Sequence, residues 1–146
     1  MHSRVWILRR VNIVDNLTTQ FTIKDEGSFQ VALMSIKKIA TEFDYNDTQV
    51  AQFLTAASEL ARNIIKYAGQ GCIQIRAVNK GSQQGLEIVA IDHGPGIEDT
   101  SLAMQENFSS GGSLGQGLPG AKRLMDEFSL ASTVGQGTQV RATLWR

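Results

Sequence analysis

The sequence has very little of several features that mark common functional classes. It holds one cysteine, Cys72, among 146 residues, which excludes an internal disulfide and a cysteine-based zinc cluster. An unpaired thiol fits a reducing cytoplasm, where we expect the protein to be. The 14 basic and 14 acidic residues balance, so the net charge gives no reason to expect nucleic acid or an anionic membrane as a partner.

Long hydrophobic runs are missing as well. No apolar run approaches the roughly 18 residues that a membrane-spanning helix needs. The opening MHSRVWILRRVNIVD is apolar only from Val5 to Leu8 before two arginines interrupt it, which favours a strand over a signal peptide. The content of 42% hydrophobic and 19% charged residues is that of an ordinary globular protein. The length predicts a single domain over residues 1–146.

Apolar spacing and turn residues predict the secondary structure. Residues that recur on one helical face predict three main helices, over 28–43, 47–68 and 118–127. Strand patterns occur within residues 1–27, over 72–78 and 85–92, and in a final hairpin. The sum predicts an α+β domain, a two-layer sandwich with the three main helices on one face of a mixed, mostly antiparallel sheet.

The stretch SSGGSLGQGLPGAKRL, residues 109–124, contains the spacing G-x-G-x-x-G in Gly115, Gly117 and Gly120. A dinucleotide fingerprint would need a strand before the glycines and an acid about 20 residues after them, and both are missing. A P-loop fails too, because Lys122 comes one place late. Free N–H groups where glycines open a helix still suit phosphate. A purely structural glycine-rich loop remains the alternative.

A second polar group lies within the long helix predicted over 47–68. The segment ELARNIIKYA puts Glu59, Asn63 and Lys66 on one side of that helix. A carboxylate there can polarise a hydroxyl, an amide oxygen can ligate Mg²⁺, and an ammonium can approach phosphate. The alternative is a solvated polar face.

Two further motifs follow predicted strands. In IVAIDHGPGI an apolar strand ends at Asp92 and breaks at Gly94 and Gly96. Such a carboxylate can accept a hydrogen bond from an exocyclic amine, while the glycines let a flat ligand approach the backbone. In VGQGTQV the Thr138 hydroxyl can face a ligand. The alternatives are an ordinary strand-ending turn and a tight hairpin.

The order of these motifs resembles the ATP-binding domain of the GHKL superfamily, which includes gyrase, Hsp90, histidine kinases and MutL. E-x-x-x-N, D-x-G-x-G-I, G-x-G-L and G-x-G-T all occur in sequence. ASELARNI, DHGPGI and FSSGGSLGQGLPGAKRLMDEF look very like bacterial anti-sigma-type serine kinases, most closely the stressosome switch kinases, over roughly residues 28–146. The resemblance implies the Bergerat fold, an ATP lid over about 98–114, and ATP and Mg²⁺ as ligands.

The resemblance also assigns a role to each candidate residue. Glu59 would be the general base, Asn63 the Mg²⁺ ligand, and Asp92 the partner of the adenine amino group. Lys66 matches a position that often faces phosphate in related kinases. The others would shape the pocket or contact phosphates: Gly94, Gly96 and Thr138 in the pocket, and Gly115, Gly117 and the backbone of Leu118 at the phosphates.

The function implied by the resemblance is that of a Mg²⁺/ATP-dependent protein serine/threonine kinase. It would bind and phosphorylate STAS-domain stressosome proteins (RsbS- and RsbR-like) and, once released, activate an output enzyme such as a PP2C-type phosphatase. A homodimer is left open. The alternative is an anti-sigma-like module that sequesters a partner and holds ATP as a structural ligand. Glu59→Gln separates the two, because only the kinase depends on the base.

Overall fold

The computed structural model describes residues 18–105 and 117–146. The strands expected before residue 18, most of the expected lid and Gly115 lie outside the described residues. The elements, in chain order, are β1 Thr18–Ile23, α1 Glu26–Glu42, α2 Asp47–Ala68, β2 Gly71–Lys80, β3 Gln83–Asp92, α3 Thr100–Ala103, α4 Gly117–Leu124, β4 Glu127–Thr133 and β5 Gly137–Trp145.

The five described strands form one sheet in the order β1-β2-β3-β5-β4. Each neighbouring pair is antiparallel. The largely antiparallel sheet predicted from the sequence is therefore confirmed for the described strands. Strands β3 and β5 are not consecutive in the chain, yet they pair antiparallel, so that the end of β3 lies beside the start of β5.

Helices α1 and α2 begin at capping boxes. The Asp25 side chain accepts a hydrogen bond from the Ser28 N–H, and the Asn46 side chain accepts one from the Gln49 N–H, both at 2.8 Å. Each cap satisfies an N–H that the first turn leaves without an intrahelical partner. Gly69, with φ +82°, ends α2 and turns the chain toward the sheet.

The third main helix is shorter than the predicted 118–127. It ends at Leu124 because the chain joins the sheet immediately afterwards: the Asp126 N–H donates to the Thr143 oxygen, and Glu127 pairs with Thr143 in the ladder. That pairing joins positions far apart in the chain, so the local helical pattern does not reveal it.

One hydrophobic core lies between the sheet and the helices. Alternate residues of the central strands point into it and meet the apolar faces of α1, α2 and α4. Its largest fully buried side chains are Ile23, Ile36, Phe43, Phe53, Leu60, Ile64, Ile73, Leu86 and Ile88. Buried Tyr45 ties the core to the sheet, since its hydroxyl accepts from the Leu86 N–H and donates to the Leu144 oxygen.

The opposite side of the sheet carries a cluster of charged side chains. Glu87 is 6% exposed there, and its Oε1 lies 2.7 Å from Arg76 Nε and 2.9 Å from Arg141 Nη1. Two guanidinium partners offset the cost of burying this carboxylate. Within residues 18–105 and 117–146, no helix is both long enough and apolar enough to cross a bilayer.

Candidate functional site

Four residues form a row across the core side of the sheet. Asp92, the last residue of β3, lies opposite Gly71 of β2 and Thr138 of β5, and Thr138 lies opposite Ser132 of β4. Two residues further into the sheet the facing pair belongs to the hydrophobic core, so the row borders that core. Strand pairing thus joins Asp92 and Thr138, which come from two separate sequence motifs.

The glycines around Asp92 allow two loops to pack closely. A Cβ on Gly137, which has φ +129°, would lie 2.1 Å from the Asp92 backbone oxygen. A Cβ on Gly96, at φ +79°, would lie 2.4 Å from the Thr133 oxygen. The Gly135 N–H donates to the Pro95 oxygen at 2.8 Å, which joins the same two loops. These positions require glycine both for backbone conformation and for space.

A cavity of about 730 Å³ opens above this row. That volume is within the range of small-molecule sites. Its apolar wall comes from α2, β3, β5 and the start of α4, and its polar groups include Asn63, Asp92 and Thr138. Leu118 and Gly96 also line it. The structure therefore brings together residues from all four sequence motifs around one cavity.

Glu59 is 5% exposed and does not itself line the cavity, but it is hydrogen-bonded to a residue that does. Its Oε2 accepts a hydrogen bond from the Gly117 N–H at 3.0 Å, and Gly117 lines the cavity. Gly117 begins α4, whose N-terminal end favours a negative charge. The alternative of a solvated polar face is wrong for Glu59, because α4 packs on that side of α2.

Asn63 and Lys66 differ in their relation to the cavity. Asn63 is partly buried and lines it. Lys66 is exposed and outside the lining, and its Nζ lies 5.1 Å from the centroid of the Tyr67 ring. Tyr67 does line the cavity, although sequence reasoning did not select it. A phosphate contact by Lys66 stays a prediction.

Gly94 acts through Asp92 and is not itself a cavity-lining residue. Its N–H donates to Asp92 Oδ1 at 2.9 Å, which fixes the carboxylate. A Cβ on Gly94 would lie 2.6 Å from the Cβ of Ala68, so the loop also packs on the end of α2. The second oxygen of Asp92 keeps its lone pairs for a ligand.

Ser132 is a site residue that sequence reasoning missed. Its Oγ lies 2.8 Å from Thr138 Oγ1, 2.7 Å from the Ile97 nitrogen and 3.1 Å from the Gly137 oxygen. It therefore joins β5 to the loop that follows Asp92. A polar residue in strand β4 carries no signal by itself, but its place six residues before Thr138 across a tight hairpin would put the two opposite each other.

Among the described residues, no group of three or more His, Cys, Asp or Glu side chains could hold a metal ion. A protein-built cage is thus missing from that part of the chain. Mg²⁺ bound with a nucleotide does not need one, since it keeps waters and phosphate oxygens and takes only one or two protein ligands. The Asn63 amide oxygen on the cavity wall fits that donor set.

Comparison with known proteins agrees with this site. Residues 48–146 match the family described as histidine kinase-, DNA gyrase B- and HSP90-like ATPases. The chain belongs to this GHKL family. The serine/threonine-protein kinase RsbT of Bacillus subtilis is 50% identical over 109 residues, which are 75% of this chain and 82% of RsbT. The anti-sigma F factor of Caldanaerobacter subterraneus subsp. tengcongensis is 35% identical over 114 residues, 74% of this chain and 78% of that protein.

Among solved structures, the RsbU and RsbW domains of Rv1364c from Mycobacterium tuberculosis share the fold. The TM-score is 0.61 at 17% identity, with 90% of this chain and 33% of that chain covered. The expected GHKL fold is confirmed by the family match. The similarity to RsbT confirms the expectation of a protein serine/threonine kinase. Use of ATP follows from membership of this ATPase family.

Proposed function

We propose that this chain is a cytoplasmic switch kinase that uses Mg²⁺ and ATP to phosphorylate a serine or threonine of STAS-domain stressosome proteins (RsbS- and RsbR-like). The observation that carries the proposal is that Asn63, Asp92 and Gly117 line one cavity, while the Glu59 carboxylate accepts a hydrogen bond from the Gly117 N–H. The 50% identity to RsbT supports the protein substrate class.

In this proposal the nucleotide lies along the cavity. The second oxygen of Asp92 accepts from the adenine amino group, and the apolar wall covers the purine ring. The N–H groups at the start of α4, at Gly117 and Leu118, together with Gly115, contact the phosphates. Asn63 would hold Mg²⁺, which when bound neutralises phosphate charge.

Glu59 is the general base of the proposed reaction. Its carboxylate takes the proton of the substrate hydroxyl as that oxygen bonds to the γ-phosphorus. The bond from phosphorus to the bridging oxygen breaks, and ADP leaves. The Gly117 N–H now donates to Glu59 at 3.0 Å. A phosphate that takes this N–H frees the carboxylate for the hydroxyl, so that ATP binding and availability of the base are linked.

To test this proposal, the full chain is incubated with Mg²⁺, ATP and a STAS-domain protein from the same genome. Mass spectrometry is expected to find one phosphoserine or phosphothreonine on the STAS protein. Asp92→Asn is expected to weaken ATP binding about tenfold or more, because an amide replaces a charged acceptor. Asp47→Asn, an exposed change in the first turn of α2, is the control that retains ATP affinity. Normal ATP binding without any modified STAS protein would contradict the kinase proposal.

A second candidate function is a binding module that sequesters a partner, with ATP as a structural ligand. The 35% identity to an anti-sigma F factor favours it. Glu59→Gln separates the candidates, since it removes the base and keeps an acceptor for the Gly117 N–H. Loss of signalling in cells by this variant, with partner capture retained, supports the kinase. Intact signalling supports the binding module.

We also propose that release from the phosphorylated STAS protein lets the chain activate an output enzyme such as a PP2C-type phosphatase. The resemblance to the stressosome switch kinases supports this step, and so does the 50% identity to the kinase RsbT. Capture of the chain by the unmodified STAS protein, and its release after phosphorylation, is the expected result in a pull-down. Equal capture of both forms would contradict the switch.

A further inference from the structure

The Ser132 hydroxyl has three polar neighbours, and one of them fits as the acceptor of its proton. The Ile97 N–H can only donate, and it lies 2.7 Å from Ser132 Oγ. The Gly137 carbonyl oxygen can only accept, and it lies 3.1 Å away. The third neighbour, Thr138 Oγ1 at 2.8 Å, can do either.

A serine hydroxyl has one proton and two lone pairs. The arrangement on which the inference rests has this proton on the Gly137 oxygen, which can only accept. The lone pairs then take the Ile97 N–H and the Thr138 O–H. In this arrangement Thr138 donates its one proton to Ser132 and presents only lone pairs to the cavity that it lines.

Asp92 stands beside Thr138 in the same row of the sheet and lines the same cavity. Its carboxylate also accepts only, and Oδ1 already takes the Gly94 N–H at 2.9 Å. The cavity wall thus offers two adjacent acceptors and no donor from this pair. An exocyclic amino group has two N–H bonds and can donate one to each acceptor. A carbonyl oxygen has no proton to donate, so its lone pairs would be repelled by those of Asp92 and Thr138.

We propose that Ser132 is a positioning residue for base specificity: it holds Thr138 as an acceptor, so that the site selects 6-aminopurine over 6-oxopurine nucleotides. The inference rests on the proposed function, because it takes the cavity to be the nucleotide site. Ser132 itself need not touch the base. It acts by fixing the direction in which the Thr138 hydroxyl points.

The experiment measures the dissociation constants of ATP and inosine triphosphate by calorimetry on the full chain. Inosine triphosphate carries a carbonyl oxygen in place of the 6-amino group and is otherwise the same. Ser132→Ala frees the Thr138 proton to donate to that oxygen. The preference for ATP over inosine triphosphate is then expected to fall about tenfold, the scale of one hydrogen bond. Ser132→Thr keeps a hydroxyl and is expected to keep the preference.

Two further variants give the matched controls. Ser129→Ala changes an exposed serine of the same strand and is expected to leave both affinities unchanged. Thr138→Val removes the hydroxyl that Ser132 orients. If Ser132 acts only through Thr138, adding Ser132→Ala to Thr138→Val changes the preference no further.

The outcomes separate the inference from the proposed function. Equal weakening of both nucleotides in Ser132→Ala would indicate a merely structural role and overturn the inference, while ATP binding by the unaltered chain would still support the nucleotide site. Loss of the preference in Ser132→Thr would overturn it as well. If the unaltered chain bound neither nucleotide, that result would contradict the proposed function itself. Thermal melting of each variant identifies any that fails to fold, and the Ser132→Thr comparison then decides.

Discussion

Replacement of Gly137 by alanine tests how closely the hairpin packs against the end of β3. A Cβ at this position would lie 2.1 Å from the Asp92 backbone oxygen and 2.8 Å from the His93 Cα. Both contacts are with backbone, which cannot rotate away. The residue also has φ +129°, a conformation that side-chain-bearing residues rarely adopt.

Two costs add in Gly137→Ala. The unfavourable backbone conformation costs about 1–2 kcal/mol. The overlap forces a backbone shift that costs about 1–3 kcal/mol more. The expected loss is thus about 2–5 kcal/mol of the free energy of unfolding. For a chain of this size that corresponds to a fall in Tm of about 10 °C.

Gly135→Ala provides the matched control in the same hairpin. Gly135 has φ +82°, but a Cβ there would meet nothing within 4 Å. This variant is expected to lose only about 1 kcal/mol from backbone conformation. Urea unfolding followed by circular dichroism measures both variants. Because the overlap displaces Asp92, Gly137→Ala should also bind ATP more weakly than Gly135→Ala. Equal stability of the two variants would refute the packing argument.

Two other predictions concern buried Tyr45 and partly buried Cys72. Tyr45→Phe leaves the Leu86 N–H and the Leu144 oxygen without their side-chain partner, so the free energy of unfolding should fall by about 1–3 kcal/mol in urea titrations, and an unchanged value would contradict the pairing. Burial raises the pKa of the Cys72 thiol, which leaves less thiolate near pH 8. Iodoacetamide should therefore label Cys72 more slowly in the folded chain than in urea, and equal rates would contradict this.

Much of the fold follows from local sequence signals. Helix α2 has the predicted bounds, 47–68, because Asn46 and Gly69 are strong capping residues at its two ends. The end of α4 was less predictable, since pairing between β4 and β5 determines where that helix stops. Local periodicity contains no information about a partner strand.

The candidate site is likewise predictable from the local sequence only in part. Asp92 and Thr138 are recognisable from separate motifs, yet only strand pairing makes them neighbours. The burial of Glu59 could not be predicted, because the side of α2 that carries it looks polar until α4 covers it. Ser132 carries no motif, and its importance arises entirely from its three contacts.

The most direct test of the account is the single-turnover rate of phosphoryl transfer to the STAS protein by Glu59→Gln at saturating ATP. Glu26→Gln, an exposed change in the first turn of α1, is the matched control. Glu59→Gln is expected to lower the rate at least about a hundredfold, the scale of general base catalysis, while ATP affinity stays within about threefold. A rate close to that of the control would contradict the role of Glu59 as the base.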